Sequence, residues 1–280
     1  MSAPVFFAVL AAALMHAGWN AVIKIRLDRF ASISLMTLGT AVVSLPLVPF
    51  VAFPDAGTWM WILASLAFHT GYKFYLTRAY DSGDLAQAYP LARGTAPLLT
   101  TIGAVLLVRE LPPPLALAGI ALLSTGTFLM SLRGSIDDIG GRAVGYALLT
   151  SVFIAGYTLT DGMGARSAET AFSYAVWLYI GDGIWSSIFC IWLRGPRIIR
   201  AVLPEWRSAL GAGFLSAAAY AIAMWAMTKA PIAMVAALRE TSILFAMLLS
   251  VTMIGERLTR WRVLAGLLIV GGVVALRFGQ

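Results

Sequence analysis

The stretch "ARGTAPLLTTIGAVLLVREL", residues 92–111, lies in register over "LRETSILFAMLLSVTMIGER", residues 238–257. That register sets Arg93 on Arg239, Thr95 on Thr241 and Glu110 on Glu256. Further along, "LALAGIALLSTGTFL" matches "WRVLAGLLIVGGVVAL", with Gly126 over Gly272. Upstream, "TRA" at 77–79 matches "TKA" at 228–230, and "HAGWN" at 16–20 echoes "IAGYT" at 154–158. The second half of the chain is therefore a copy of the first.

The copies are apolar. Of 280 residues, 60% are hydrophobic and 12% charged, with mean hydropathy +0.85, where a soluble domain carries about a quarter charged residues. Lipid is the solvent for most of this sequence. A hydrocarbon core about 30 Å thick takes about 20 apolar residues per helix. Segments of that length recur at 3–24, 30–53, 57–78, 84–108, 113–132, 143–163, 171–193, 208–228, 231–254 and 260–278. The expected fold is all-α and polytopic, with two five-helix repeats at 1–134 and 140–280. Five spans per copy is an odd number, so the copies cross the membrane in opposite senses, as in secondary transporters with a midplane site.

Several function classes drop out. The net charge of +7 sits at the ends of apolar segments and orients the chain, so no nucleic-acid partner is expected. Two histidines are too few for an imidazole zinc site, and the lone Cys190 allows no internal disulfide. No nucleotide-binding loop, serine elbow or H-E-x-x-H motif occurs, so neither an ATP-driven motor nor an intramembrane enzyme is indicated. No cofactor is expected. Counting Lys and Arg gives thirteen in the loops after spans 1, 3, 5, 7 and 9 against four on the other side. The positive-inside rule then places the odd loops in the cytoplasm and both termini outside.

Three basic residues remain inside spans, Lys73, Arg93 and Arg239, and three acids, Asp161, Asp182 and Glu240. A balanced set points to mutual pairing, because an unpaired charge in lipid is expensive. Arg93 admits two readings: an ion pair with Glu240, or a fork for a carboxylate or phosphate on the cargo. Asp182, between two glycines, and Glu240 are the candidates for ion coupling. Asp161 is expected at the membrane surface, and Lys73 is close enough to that surface to snorkel. His16 and Asn20 share one helix face with Trp19 beside them, and His69 repeats the spacing with Lys73. Tyr72, Tyr89, Trp177 and Tyr220 complete the expected cavity lining. Pro90, Pro97 and Pro231 are hinge candidates, and because the ninth span lacks an interior proline the two halves are not expected to be equivalent in stiffness.

The duplicated unit, with "AYPLARGTAPLL", "HAGWN" and the Gly-Glu-Arg-Leu run at 255–258, resembles the drug/metabolite transporter superfamily of the EamA type. The resemblance covers nearly the whole chain and is nearest to the amino-acid and aromatic amino-acid exporter branch. It implies a basket in which spans 1–4 and 6–9 surround a central cavity and spans 5 and 10 lie at the periphery. It also implies a secondary transporter that exports amino acids or related small metabolites by alternating access, in a bacterial-type plasma (inner) membrane. Its partners are then a small-molecule substrate and membrane lipid, with a monomer as the default state. The alternative within the superfamily is a multidrug or quaternary-amine efflux pump.

Overall fold

The computed structural model describes residues 1–22, 29–82, 85–130, 140–254 and 259–279, without the side chains of 20–22, 29, 85–89, 253 and 254. The expected junction of the repeats, between 134 and 140, and the Gly-Glu-Arg-Leu run fall largely outside these residues. Ten helices carry the spans up to the ninth: α1 (Ala3–Val22), α2 (Arg29–Ser44), α3 (Ala56–Ser82), α4 (Leu85–Gly103), α5 (Pro114–Leu129), α6 (Gly141–Ser167), α7 (Ala171–Arg194), α8 (Trp206–Met227), α9 (Ile232–Arg239) and α10 (Ser242–Leu249). The last span is α11 (Arg260–Phe278). Seven helical runs are long and apolar enough to cross a membrane, and Ala3–Trp19 and Pro114–Leu129 are shorter apolar helices. This is a polytopic, all-α membrane protein.

Helix starts follow local chemistry. Asp55 accepts from the Thr58 N–H (2.7 Å) ahead of α3, and Thr170 accepts from the Ser173 N–H (3.0 Å) ahead of α7. Thr259 does the same for Arg262 (3.3 Å) at α11. Each removes one of the orphan donors of a helix N-terminus. Pro231 caps α9 rather than bending it: its carbonyl accepts from Met234 and Val235 at 3.1 and 3.2 Å.

Small residues set the helix contacts, as expected where lipid supplies no hydrophobic drive between helices. Where α5 crosses α11, a Cβ on Gly119 would stand 2.9 Å from the Gly272 carbonyl oxygen. Between the repeats, a Cβ on Gly213 of α8 would stand 2.5 Å from the Gly39 backbone of α2. Any larger residue would push these backbones apart. Leu106, Leu107, Leu149, Trp192, Phe214, Leu267 and Val270 face outward, where the lipid tails are.

The prolines do not interrupt α4, which runs unbroken through Pro90 and Pro97. Side-chain hydroxyls occupy carbonyls along it: Thr95 donates to Leu91, Thr100 to Ala96, Thr101 to Pro97, and Ser151 of α6 to Ala92. The interruption lies in the ninth span, which has no interior proline. At Glu240–Thr241 the bonds tighten to the i−3 pattern, Glu240 to Ala237, Thr241 to Leu238 and Ile243 to Glu240. The Thr241 hydroxyl also donates to the Leu238 carbonyl at 2.7 Å, competing with the α-helical ladder. A tight stretch inside a helix often marks a hinge.

Candidate functional site

The break positions the pocket. Arg93, Ala96, Pro97 and Thr100 of α4, Ile154, Tyr157 and Thr158 of α6, and Ala236, Arg239 and Glu240 of the ninth span line a small pocket with about 10 Å³ of free space. Arg93 Nε donates to Glu240 Oε2 at 2.9 Å, with both side chains buried. Arg93 Nη2 reaches Ser242 Oγ at 3.5 Å, just past the break. The ion pair thus joins the first repeat to the second at the bend.

Arg239 is held differently. Its guanidinium lies 4.6 Å from the Tyr220 ring centroid, a cation–π contact. Among the described residues, no carboxylate lies within ion-pair distance of it. A guanidinium has five N–H donors, and here they face a cavity.

Asp161 was expected at the membrane surface; it is fully buried. Tyr174 OH donates to its Oδ1 at 3.0 Å, Tyr220 OH to its Oδ2 at 2.5 Å, and His69 Nε2 lies 3.2 Å from Oδ2. His69 stacks on Tyr157 with ring centroids 4.2 Å apart, and Tyr72 meets Tyr157 edge-on at 5.6 Å. Tyr220 therefore joins the Asp161 carboxylate, through its hydroxyl, to Arg239, through its ring.

Lys73 does not snorkel. Its ammonium is buried and donates to Asp182 Oδ1 and Oδ2 at 2.6 and 2.8 Å and to Ser186 Oγ at 2.5 Å. The three N–H donors of Lys73 are all taken, and Ser186 Oγ in turn donates to Asp182 Oδ1 at 3.1 Å. Trp177 is also displaced from its expected place. Its indole N–H donates to the Ala52 carbonyl at 2.9 Å, and its ring meets Phe53 and Trp59. That cluster stands at the connection between α2 and α3, away from the pocket lining. In α1, Trp19 Nε1 donates to His16 Nδ1 at 3.3 Å, and both arginines act electrostatically on His16. The side chains of Asn20 and Tyr89 lie outside the described residues.

A further ion pair joins the two repeats. Arg166, at the end of α6, donates to Glu110 Oε1 (2.6 Å), the Met227 carbonyl (2.7 Å) and the Ala230 carbonyl (3.1 Å). Glu110 Oε2 accepts from the Ile232 N–H at 3.0 Å, capping α9. Four segments meet on these two side chains.

Tyr157, Thr158 and the Asp161 cluster were missed from sequence. A signal existed for two of them: the "HAGWN"/"IAGYT" echo sets Tyr157 on Trp19 and Thr158 on Asn20.

The EamA-like transporter family matches residues 3–132 and again 141–278. The chain belongs to that family. It is accordingly a membrane transporter of the drug/metabolite superfamily with two EamA repeats, and the family consists of transporters rather than enzymes. A crystal structure of a protein 18% identical in sequence superposes with TM-score 0.79, covering 98% of this chain and 96% of that one. At that identity the likeness shows the fold alone. No curated protein matches the chain.

Proposed function

We propose that this EamA-like transporter exports zwitterionic amino acids and related small metabolites by alternating access, with Arg239 receiving the substrate carboxylate. The observation that carries this reading is a cavity-facing guanidinium without an acidic partner, held over Tyr220. A guanidinium forks onto a carboxylate through two parallel bonds.

Charge supports a neutral cargo. Arg93, Arg239, Glu240 and Asp161 all act electrostatically on Tyr157 in the pocket wall, two positive and two negative. The third buried pair, Lys73 with Asp182, is balanced within itself. A zwitterion preserves that balance, whereas a cation or an anion adds one uncompensated charge in low dielectric. Tyr157 in the pocket wall supplies an aromatic contact for an aromatic side chain on the cargo. The alternative, a quaternary-amine pump, wants an accessible carboxylate, and Asp161 and Asp182 are held by tyrosine hydroxyls and by Lys73.

The proposal includes the orientation with odd loops in the cytoplasm of a bacterial-type inner membrane, repeats at 1–134 and 140–280, and His16, Trp19 and His69 around the cargo. Counterflow in proteoliposomes tests the substrate class. Loaded amino acids should drive uptake of labelled amino acid, and lipophilic cations should not. The reverse result would replace the amino-acid reading with the amine pump.

A further inference from the structure

We infer that Glu240 is the acceptor for the substrate's ammonium group, and that it changes partner from Arg93 to the cargo when the cargo binds. The inference rests on the carboxylate reading of Arg239 and extends it to the other end of the substrate.

Three observations converge on Glu240. Its carboxylate lines the cavity and is buried, so no water replaces a lost partner. Arg93 Nε donates to Glu240 Oε2, and a carboxylate has a second oxygen to offer another donor. Both Arg93 and Arg239 act electrostatically on it, so a carboxylate arriving at Arg239 arrives beside Glu240 as well. In an α-amino acid the ammonium and the carboxylate share one carbon atom. A carboxylate seated on Arg239 therefore carries its ammonium to within reach of the neighbouring residue's acid, and Asp161, already holding two tyrosine hydroxyls, is less free to receive it.

The exchange conserves pairing. Before binding, Arg93 holds Glu240 and Arg239 faces the cavity. Afterwards Glu240 holds the ammonium, and the two guanidinium groups share the incoming carboxylate. Glu240 has a cationic partner in both states, as a buried carboxylate must in low dielectric. The residue that changes partner sits on the break between α9 and α10. Its pairing with Arg93 of α4 is therefore a tie across the bend, which cargo releases and an empty site re-forms. A carboxylate alone would not release it, because Glu240 would be left without a partner. This makes Glu240 a specificity residue for the zwitterion.

The test compares three probes of one shape, L-phenylalanine, phenylpropanoate and phenethylamine, by binding to purified protein. The unaltered protein should prefer phenylalanine to either analogue by at least about tenfold, since a site built around a polar group rejects the analogue lacking it. In Glu240→Gln that preference over phenylpropanoate should collapse to about onefold. Arg93→Gln removes Glu240's resident partner, so phenethylamine should bind several-fold tighter than to the unaltered protein. Should the single variants fold poorly, Arg93→Gln with Glu240→Gln removes both charges and should show the same lost preference. An unchanged preference in Glu240→Gln or in the double variant, or unimproved phenethylamine binding in Arg93→Gln, overturns the partner exchange while leaving the Arg239 reading standing. If neither carboxylate probe binds the unaltered protein, the Arg239 reading falls and this inference falls with it.

Discussion

The guanidinium of Arg239 stands over the ring of Tyr220, and the hydroxyl of the same tyrosine donates to Asp161. One side chain thus supports a cation with its face and an anion with its edge. The two functions separate by substitution. Tyr220→Phe keeps the ring and should leave carboxylate binding within a few-fold of the unaltered protein. Tyr220→Leu removes the ring and should weaken it further, cation–π contacts being worth about 0.5–2 kcal/mol. Equal losses in both variants would assign the effect to the hydroxyl.

Arg239→Lys keeps the charge but not the planar fork, so transport of amino acids should fall while the fold is retained. Esterified amino acids, which offer no carboxylate, should transport equally poorly with either residue. Undiminished amino-acid transport in Arg239→Lys would remove Arg239 from the binding role.

Lys73 and Asp182 form a closed pair with Ser186, and their expected role is structural. Lys73→Met or Asp182→Leu alone strands a buried charge, at a cost of roughly 3–5 kcal/mol. The double replacement should recover most of the thermal stability, and a double-mutant cycle measures the coupling. A stable Asp182→Asn that loses gradient-driven accumulation but keeps exchange would instead return Asp182 to ion coupling.

The Arg166–Glu110 tie joins the α4–α5 connection, α6 and the α8–α9 connection, and is expected to close one mouth of the pocket. In Arg166→Leu a cysteine placed at the pocket residue Thr100 should react several-fold faster with a membrane-impermeant maleimide. An unchanged rate would mean the mouth is closed by something else.

Orientation has its own check. A cysteine in place of Arg197 should resist that reagent in intact cells, and the native Cys190, being buried, adds little background. Ready labelling would reverse the assignment.

What was legible in the sequence was what the repeat duplicates. Register alone set Arg93 and Arg239 at corresponding depths, and charge balance pointed to Glu240 as the partner of Arg93. The errors share a cause in helix length. The sixth span was expected to end at 163 and runs to Ser167, which carries Asp161 a full turn deeper into the protein. The third was expected to end at 78 and runs to Ser82, which does the same for Lys73. Polar residues near a span's end read as interfacial when they are in fact covered by a helix that continues past them. The break at Glu240–Thr241 carries neither glycine nor proline, so no turn signal announced it. It shows only in how Thr241 and its neighbours bond once folded.

The even division of the six intramembrane charges has an electrical consequence. A membrane potential acts on each elementary charge moved through it with about 2.3 kcal/mol per 100 mV. Lys73, Arg93 and Arg239 against Asp161, Asp182 and Glu240 sum to zero, so helices carrying all six can shift together across the field with little net work. With a zwitterion aboard, the sum is still zero. The loaded and empty protein should then change facing at rates nearly independent of voltage, and any current measured during transport reports the coupling ion alone.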